Sequence, residues 1–125
     1  MVIYHKELAA GRWFELTLIE QLANIGSEVH RAIKSFKQND NESFEYAFAR
    51  ALELFDLTLG DDRWKGRRKE VARSREFFCS LFQKHSYINH LQDDMEWLDK
   101  YFLQFGVYAA LQREKKAKER LNKIP

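Results

Sequence analysis

The chain has 125 residues, of which 45% are hydrophobic and 32% charged, and its net charge at neutral pH is only +2. This length and apolar content predict one domain, residues 1–125, with a sizeable core, and they exclude a disordered tail. With few glycines and prolines, no membrane-spanning apolar stretch and no leader-like segment, the sequence predicts a helical, cytoplasmic protein without a membrane partner.

Residues 1–11 show no periodic pattern, and we expect them to form an irregular N-terminal arm. From Arg12 to about Lys37, apolar side chains recur at steps of three and four, which predicts one continuous amphipathic helix. Gly26 lies within this helix, where glycine is less favourable than alanine. Its presence therefore indicates that another helix approaches closely at that point.

A polar turn at residues 38–41 separates the first helix from the second, with Asp40 or Asn41 as the N-cap. The second helix is predicted from Glu42 to Leu59, and Gly60 is placed to end it. The side away from the core carries a stripe of four carboxylates: Glu42, Glu45, Glu53 and Asp56. We expect this stripe to be solvated or to be neutralised by arginines of a neighbouring helix.

The third helix is predicted to begin within residues 62–66 and to end near Gln83, and residues 84–90 are predicted to form a loop. The fourth helix begins at Leu91, and the charged residues 113–125 form either its end or a tail. Four amphipathic helices with short connections predict an all-α protein. The expected architecture is an antiparallel up-down-up-down four-helix bundle.

The basic stretch RWKGRRKEVARSR, residues 63–75, carries seven basic side chains and one acidic side chain. Residues 113–123 are also basic, so the rest of the chain is acidic although the net charge is small. This uneven distribution indicates an acidic partner such as RNA or DNA. We predict a nucleic-acid-binding surface formed by Arg63, Trp64, Lys65, Arg67, Arg68, Lys69 and Arg73.

The basic stretch also has a purely structural interpretation if the third helix begins at Asp62. Arg75 then lies on the core side of the helix, and Arg68 flanks it. A buried guanidinium needs a carboxylate or several carbonyl groups. The partners expected across the bundle are Glu20, Glu28 and Asp56.

In the other interpretation, RWKG is a loop and the third helix begins at Arg67. Free backbone N–H groups and clustered cations then form a place for an anion. That anion is Asp61 or Asp62 from within the protein, or a phosphate of a nucleic acid. Trp64 either stacks on a base or anchors the loop to the core.

The sequence contains no pattern that identifies a reaction. None of the four histidines follows a Glu by three positions, the spacing of carboxylate metal sites in helical bundles. HEPN ribonucleases carry an Arg, four to six further residues and then a His, and none of the four histidines follows an Arg at that spacing. The carboxylate stripe resembles the paired carboxylates of all-α nucleotide pyrophosphohydrolases, which hold magnesium, but here one helix supplies both pairs. We expect no enzyme activity, metal or cofactor, with a magnesium-dependent nucleotide hydrolase as an alternative.

Two longer segments, GRWFELTLIEQLANIGSEVHRAI and RALELFDLTLGDDRWKGRRKEVARSRE, resemble parts of small uncharacterised helical proteins of prokaryotes. In architecture, size and basic character, the chain is similar to four-helix-bundle accessory proteins of diversity-generating reverse transcriptases and to proteins encoded by 23S rRNA intervening sequences. That similarity implies a homo-oligomer that binds nucleic acid and a protein such as a polymerase, without catalysis. The alternative is a protein-interaction or regulatory bundle that uses exposed aromatic residues such as Trp13, Trp97 and Tyr101.

Overall fold

The computed structural model describes Lys6, residues 10–83 and residues 90–123, and every element in this part of the chain is helical. The four α-helices are α1 (Leu18–Lys37), α2 (Asn41–Leu59), α3 (Arg68–Leu81) and α4 (Leu91–Asn122). Short 3-10 segments, Arg12–Glu15 and Asp62–Arg67, precede α1 and α3. The prediction of an all-α protein with four helices is confirmed. No helix in the described residues is long and apolar enough to cross a membrane.

The ends of α2 and the length of α4 agree with the sequence pattern. The Asp40 carboxylate accepts a hydrogen bond from the Ser43 backbone N–H (3.1 Å) and caps α2, which ends at Gly60 as expected. Helix α4 continues without interruption to Asn122, so most of the charged C-terminal segment is helix. The predicted N-terminal arm and the loop before α4 lie mainly outside the described residues.

The prediction of one continuous helix from Arg12 was wrong, because the backbone is extended at Leu16 and Thr17. The Thr17 hydroxyl accepts a hydrogen bond from the Glu20 backbone N–H (3.2 Å), and the Glu20 carboxylate accepts one from the Thr17 backbone N–H (3.0 Å). This reciprocal capping box satisfies two backbone donors that the helix start would leave free. It therefore begins α1 at Leu18, although the apolar periodicity extends further back.

Helix α1 packs extensively against both α2 and α4, whereas α3 packs mainly against α2 and more sparsely against α4. The end of α1 lies beside the start of α2 and the end of α3. There the rings of Phe36, Phe44 and Phe82 approach one another, with centroids 4.8–5.7 Å apart. The sparse packing between α3 and α4 leaves a groove between them.

Gly26 allows α4 to approach α1 closely. A Cβ atom added at Gly26 would lie 2.7 Å from the Cβ atom of Phe102, closer than two carbon atoms can pack. Phe102 is itself buried in the core. The close approach predicted from the glycine is therefore confirmed, and its partner is α4.

A largely buried polar network surrounds the turn between α2 and α3, and we call it the polar corner. It consists of Trp13, Gln21, Thr58, Asp61, Arg63 and Trp64. The Trp13 indole donates to the Thr58 hydroxyl (3.0 Å), and the Trp64 indole donates to Gln21 Oε1 (2.9 Å). The Gln21 amide, which is fully buried, donates to the Asp61 carboxylate and to the Trp13 carbonyl, both at 3.0 Å. Gln21 thus joins α1 to both 3-10 segments.

Asp61 is the charged centre of the polar corner and is only 3% exposed. Its carboxylate accepts hydrogen bonds from the Arg63 guanidinium at 2.7 and 3.0 Å, and the same guanidinium donates to the Leu16 carbonyl at 2.7 Å. The hydrogen bonds from Arg63 outweigh desolvation and, together with that from Gln21, lower the pKa of Asp61 to about 2. The corner therefore depends on an ionised carboxylate.

Replacing Gly26 with alanine should lower the free energy of unfolding by about 1–3 kcal/mol, because α1 and α4 must separate to admit the methyl group. Urea denaturation measures the change. Gly106→Ala in α4 is the matched control, since no described atom lies within 4 Å of its added Cβ atom. The control should be neutral or stabilise the protein by up to about 1 kcal/mol. Equal destabilisation by both variants would contradict the close approach.

Replacing Asp61 with asparagine should lower the free energy of unfolding by about 1–3 kcal/mol at neutral pH, because Arg63 loses its charged partner. The folded pKa of Asp61 lies below its unfolded value, so this contribution is lost as pH falls. The difference in the free energy of unfolding between wild type and variant should therefore shrink as the pH falls from about 4 to 2. Denaturant titrations across this range measure it.

The matched control is Asp62→Asn, the same chemical change at the next residue. The Asp62 side chain is 86% exposed, and its ion pair with Arg68 should contribute less than about 1 kcal/mol. A pH-independent difference for Asp61→Asn, or an equal effect in the control, would show that the polar corner does not depend on the carboxylate.

Candidate nucleic-acid interface

Two of the seven predicted binding residues, Arg63 and Trp64, belong to the polar corner. The Arg63 guanidinium lies over the Trp64 ring, 4.4 Å from its centroid, and pairs with Asp61. The Trp64 ring packs against the core and donates its N–H to Gln21. Trp64 was predicted either to stack on a base or to anchor the loop to the core, and these contacts are those of an anchor.

Two further predicted residues, Arg67 and Arg68, form ion pairs near the start of α3. Arg67 lies 2.7 Å from Glu70, and Arg68 lies 3.2 Å from Asp62 and donates to the Leu59 carbonyl (3.0 Å). Of the anions predicted for this place, Asp62 is the one that pairs with Arg68, whereas Arg67 pairs with Glu70 and Asp61 with Arg63. The expected pairing of Arg68 with a carboxylate of another helix was wrong, because Arg68 pairs with Asp62 of the 3-10 segment just before α3.

Arg75 pairs with Asp56 of α2 at 3.0 Å, which confirms one of the three partners predicted for it. This contact also neutralises part of the acidic stripe. Glu28, another predicted partner, instead lies within 3.1 Å of Arg31 and Arg50. Both carboxylates therefore serve contacts that hold α1, α2 and α3 together.

The remaining three predicted residues, Lys65, Lys69 and Arg73, are exposed, and none forms an ion pair with another residue in the described part of the chain. Lys69 and Arg73 stand one helical turn apart on α3 and line a groove toward α4. We call this cavity of about 670 Å³ the α3–α4 groove. Its principal lining residues are Lys69, Glu70, Arg73, Phe77, Trp97 and Tyr101.

The α4 wall of the groove is aromatic. Trp97 and Tyr101 stack with ring planes 9° apart and centroids 5.5 Å apart, and Phe77 of α3 meets the edge of Trp97 at 5.3 Å. Trp97 is 57% exposed although two neighbouring rings contact it. The groove therefore offers a supported flat aromatic surface to solvent. The prediction that Trp13 is exposed as well was wrong, because its ring is fully buried in the polar corner.

The Glu70 carboxylate, which also lines the groove, is occupied by two donors. The Tyr101 hydroxyl donates to Oε1 (3.0 Å), and the Arg67 guanidinium pairs with Oε2 (2.7 Å). Burial opposes ionisation of Glu70, but the hydrogen bonds from Arg67 and Tyr101 outweigh it and lower its pKa. Burial and the hydrogen bond to Glu70 raise the pKa of Tyr101 to about 12. Tyr101 therefore stays a neutral donor, and Arg67 balances the charge of Glu70.

The sequence signal for this groove consists of two local pairs. Lys69 and Arg73 are four residues apart on one helix, and Trp97 and Tyr101 are four residues apart on another, so each pair shares a helix face. From the sequence, the cations were assigned to a nucleic-acid-binding surface and the aromatic residues to a protein-interaction surface. The structure brings both pairs to one groove, with Phe77 as a contributor that the sequence did not single out.

The described residues contain no group of three or more His, Cys, Asp or Glu side chains that could hold a metal ion. Burial raises the pKa of the Cys79 thiol, which keeps it protonated at neutral pH. The charged and aromatic groups that line the groove are the cations Lys69 and Arg73, the carboxylates Glu70 and Asp94, and the rings of Phe77, Trp97 and Tyr101.

Comparisons of the chain with protein-family models, with curated proteins and with solved structures found no match. The similarity to accessory proteins of reverse transcriptases and to proteins of 23S rRNA intervening sequences therefore stays a prediction.

Replacing Trp97 with phenylalanine should remove most of the acrylamide-accessible tryptophan fluorescence. Trp13 is fully buried and Trp64 is half-buried, so Trp97 is the tryptophan that the quencher reaches most easily. Stern–Volmer plots of the wild type and the variant measure this, with Trp64→Phe as the control. If Trp64→Phe lowers the quenching constant more than Trp97→Phe, the aromatic wall is not open as described.

Proposed function

We propose that this protein binds single-stranded RNA or DNA in the α3–α4 groove and acts as an accessory protein without catalysis of its own. One observation supports this above all: a stacked pair, the exposed Trp97 and the half-buried Tyr101, faces two cations, Lys69 and Arg73, across one groove. A nucleotide strand offers the matching groups, since its bases are flat and its phosphates are anionic. Base stacking on aromatic side chains contributes about 1–3 kcal/mol per base and tolerates every base.

A single strand fits this groove better than a duplex. Stacking on Trp97 requires an unpaired base that can leave its neighbours, whereas paired bases present only their edges in the grooves. The cavity of about 670 Å³ lies in the range of small-ligand sites, which is about 300–1,000 Å³. Asp94 also lines the groove and offers an acceptor to the amino group of a bound base.

The predicted basic residues take different roles in this proposal. Lys69 and Arg73 contact phosphates, and Lys65, exposed just before the groove, extends the cationic track. Arg67 and Arg68 add positive potential, although each is paired within the protein. Arg63 and Trp64 hold the turn that precedes α3.

The scaffold that we propose for the groove is an antiparallel up-down-up-down bundle. Its support is the order of contacts between α3 and α4: Glu70 meets Tyr101, whereas Phe77, later in α3, meets Trp97, earlier in α4. In such a bundle the groove runs along both helices, so a strand lies along α3. The proposal includes the cytoplasmic location predicted from the sequence and a partner such as a polymerase, which rests on the resemblance described above.

Binding of a protein partner is the second candidate function, because exposed Trp and Tyr side chains are common centres of protein interfaces. The exposed Trp97 favours this alternative as well. The dependence of binding on salt separates the two candidates, since phosphate contacts release condensed counterions and protein contacts do not.

The test is fluorescence anisotropy with short labelled single-stranded RNA and DNA across a salt series. Lys69→Glu combined with Arg73→Glu should weaken binding and reduce the log–log salt slope by about 0.7 for each phosphate that the protein no longer neutralises. Trp97→Ala should weaken binding roughly 5- to 150-fold at every salt concentration with an unchanged slope, because it removes stacking of one base.

The matched control is Lys34→Glu combined with Lys37→Glu, which makes the same change of net charge near the end of α1, outside the groove. It should leave the salt slope nearly unchanged. The proposal fails if the wild type does not bind at low salt, or if the control variant binds as weakly as the groove variant. Circular dichroism of each variant establishes that it is folded.

A further inference from the structure

Helix α4 is 32 residues long, whereas α1, α2 and α3 have 20, 19 and 14 residues. Its buried side chains end at Ala109, and among the described residues none after Ala109 is buried. The last turns of α4 therefore extend past the core. On its outer side, three large apolar side chains are open to solvent: Leu103, Val107 and Leu111 are 62%, 51% and 58% exposed.

These apolar residues belong to a longer stripe on α4, which we call the α4 seam. It consists of Glu96, Lys100, Leu103, Val107, Leu111, Glu114 and Lys118. At 100° per residue, all seven positions fall within about 80° of one another, on the side of α4 opposite its buried residues. The Glu114 and Lys118 side chains lie 3.4 Å apart, as expected for residues on one face.

The α4 seam is symmetric about Val107. Its apolar residues occupy the centre, and each end carries one glutamate and one lysine in the same chain order. Reversing the direction of the helix therefore sets every acidic position of the seam against a basic one. Parallel pairing would instead set like charges against each other.

We infer that the α4 seam binds a second copy of this chain, with the two α4 helices antiparallel and related by a two-fold axis at Val107. In this register, Glu96 faces Lys118 of the partner subunit, and Lys100 faces Glu114 of the partner subunit. Leu103 lies against Leu111 of the partner subunit, and the two Val107 side chains meet on the axis.

The seam fits a second copy because a two-fold interface uses one self-complementary patch on both subunits. Exposed apolar residues in a row mark interaction surfaces, and flanking charges of opposite sign set the direction of helix pairing. From Glu96 to Lys118 the seam spans about 33 Å at 1.5 Å per residue. Only three apolar residues per chain lie in it, so the dimer should dissociate on dilution.

The α4 seam and the α3–α4 groove lie on different sides of α4. Trp97 and Tyr101 are about 80° and 120° around the helix from Val107. The pairing therefore leaves the groove open. It does not depend on nucleic-acid binding, and either proposal can fail without the other.

The experiment exchanges charges within the seam of the full-length protein. One variant carries E96K and K100E, and the other carries E114K and K118E, so both keep the composition and net charge of the wild type. In either variant alone, antiparallel pairing sets like charges against each other at four places. In a mixture of the two, all four places again bring opposite charges together.

Sedimentation equilibrium over micromolar to millimolar concentrations measures the result. We expect the wild type to dimerise, each variant alone to dimerise at least tenfold more weakly, and the equimolar mixture to recover wild-type affinity. Circular dichroism checks that both variants remain helical. A wild type that stays monomeric, variants that dimerise like the wild type, or a mixture without recovery would each overturn the inference. A mixture without recovery would exclude this antiparallel register in particular.

Discussion

The burial of one carboxylate, that of Asp61, ties the turn between α2 and α3 to α1 and to the segment before it. An ionised group in the protein interior must be paired and hydrogen-bonded, and Asp61 obtains its partners from Arg63 and Gln21. These contacts tie the turn after α2 to α1 and hold the Trp64 ring against the core. Helix α3 follows this turn, and Lys69 in its first turns lines the α3–α4 groove.

The cost of burying charge also divides the arginines by role. Those nearest the turn and the α2 surface are used within the protein, as Arg63 with Asp61 and Arg75 with Asp56 show. The basic side chains Lys69 and Arg73, further along α3, line the groove toward α4. Among these, Arg73 forms no ion pair with a residue in the described ranges, which leaves its guanidinium able to meet an external anion.

Helix α4 presents three sides with different surroundings. Its inner side fills the core, where Phe102 meets the gap that Gly26 leaves in α1. A second side supplies the aromatic wall of the α3–α4 groove through Trp97 and Tyr101. The third side is the α4 seam, proposed to join two chains. Because the faces are separate, the proposed binding of nucleic acid and the proposed self-association can be tested independently by substitution.

Much of the fold could be predicted because it depends on local spacing. Helix periodicity, the Asp40 cap and the glycine at position 26 are all visible in the sequence. The break before α1 was visible too, as Thr17 followed by Glu20 three residues later, but the apolar periodicity concealed it. The groove was not predictable, because the position of Lys69 relative to Trp97 depends on how two helices pack and on which carboxylates the arginines select.

The most direct measurement is a titration of tryptophan fluorescence with a short single-stranded oligonucleotide. If a base stacks in the groove, the fluorescence of Trp97 should be quenched as the strand binds, and the quenching should be lost in Trp97→Phe. Trp64→Phe should keep it. Quenching that persists in Trp97→Phe and disappears in Trp64→Phe would place the strand at the turn before α3. Binding without any quenching would contradict stacking on α4 and thus the central claim.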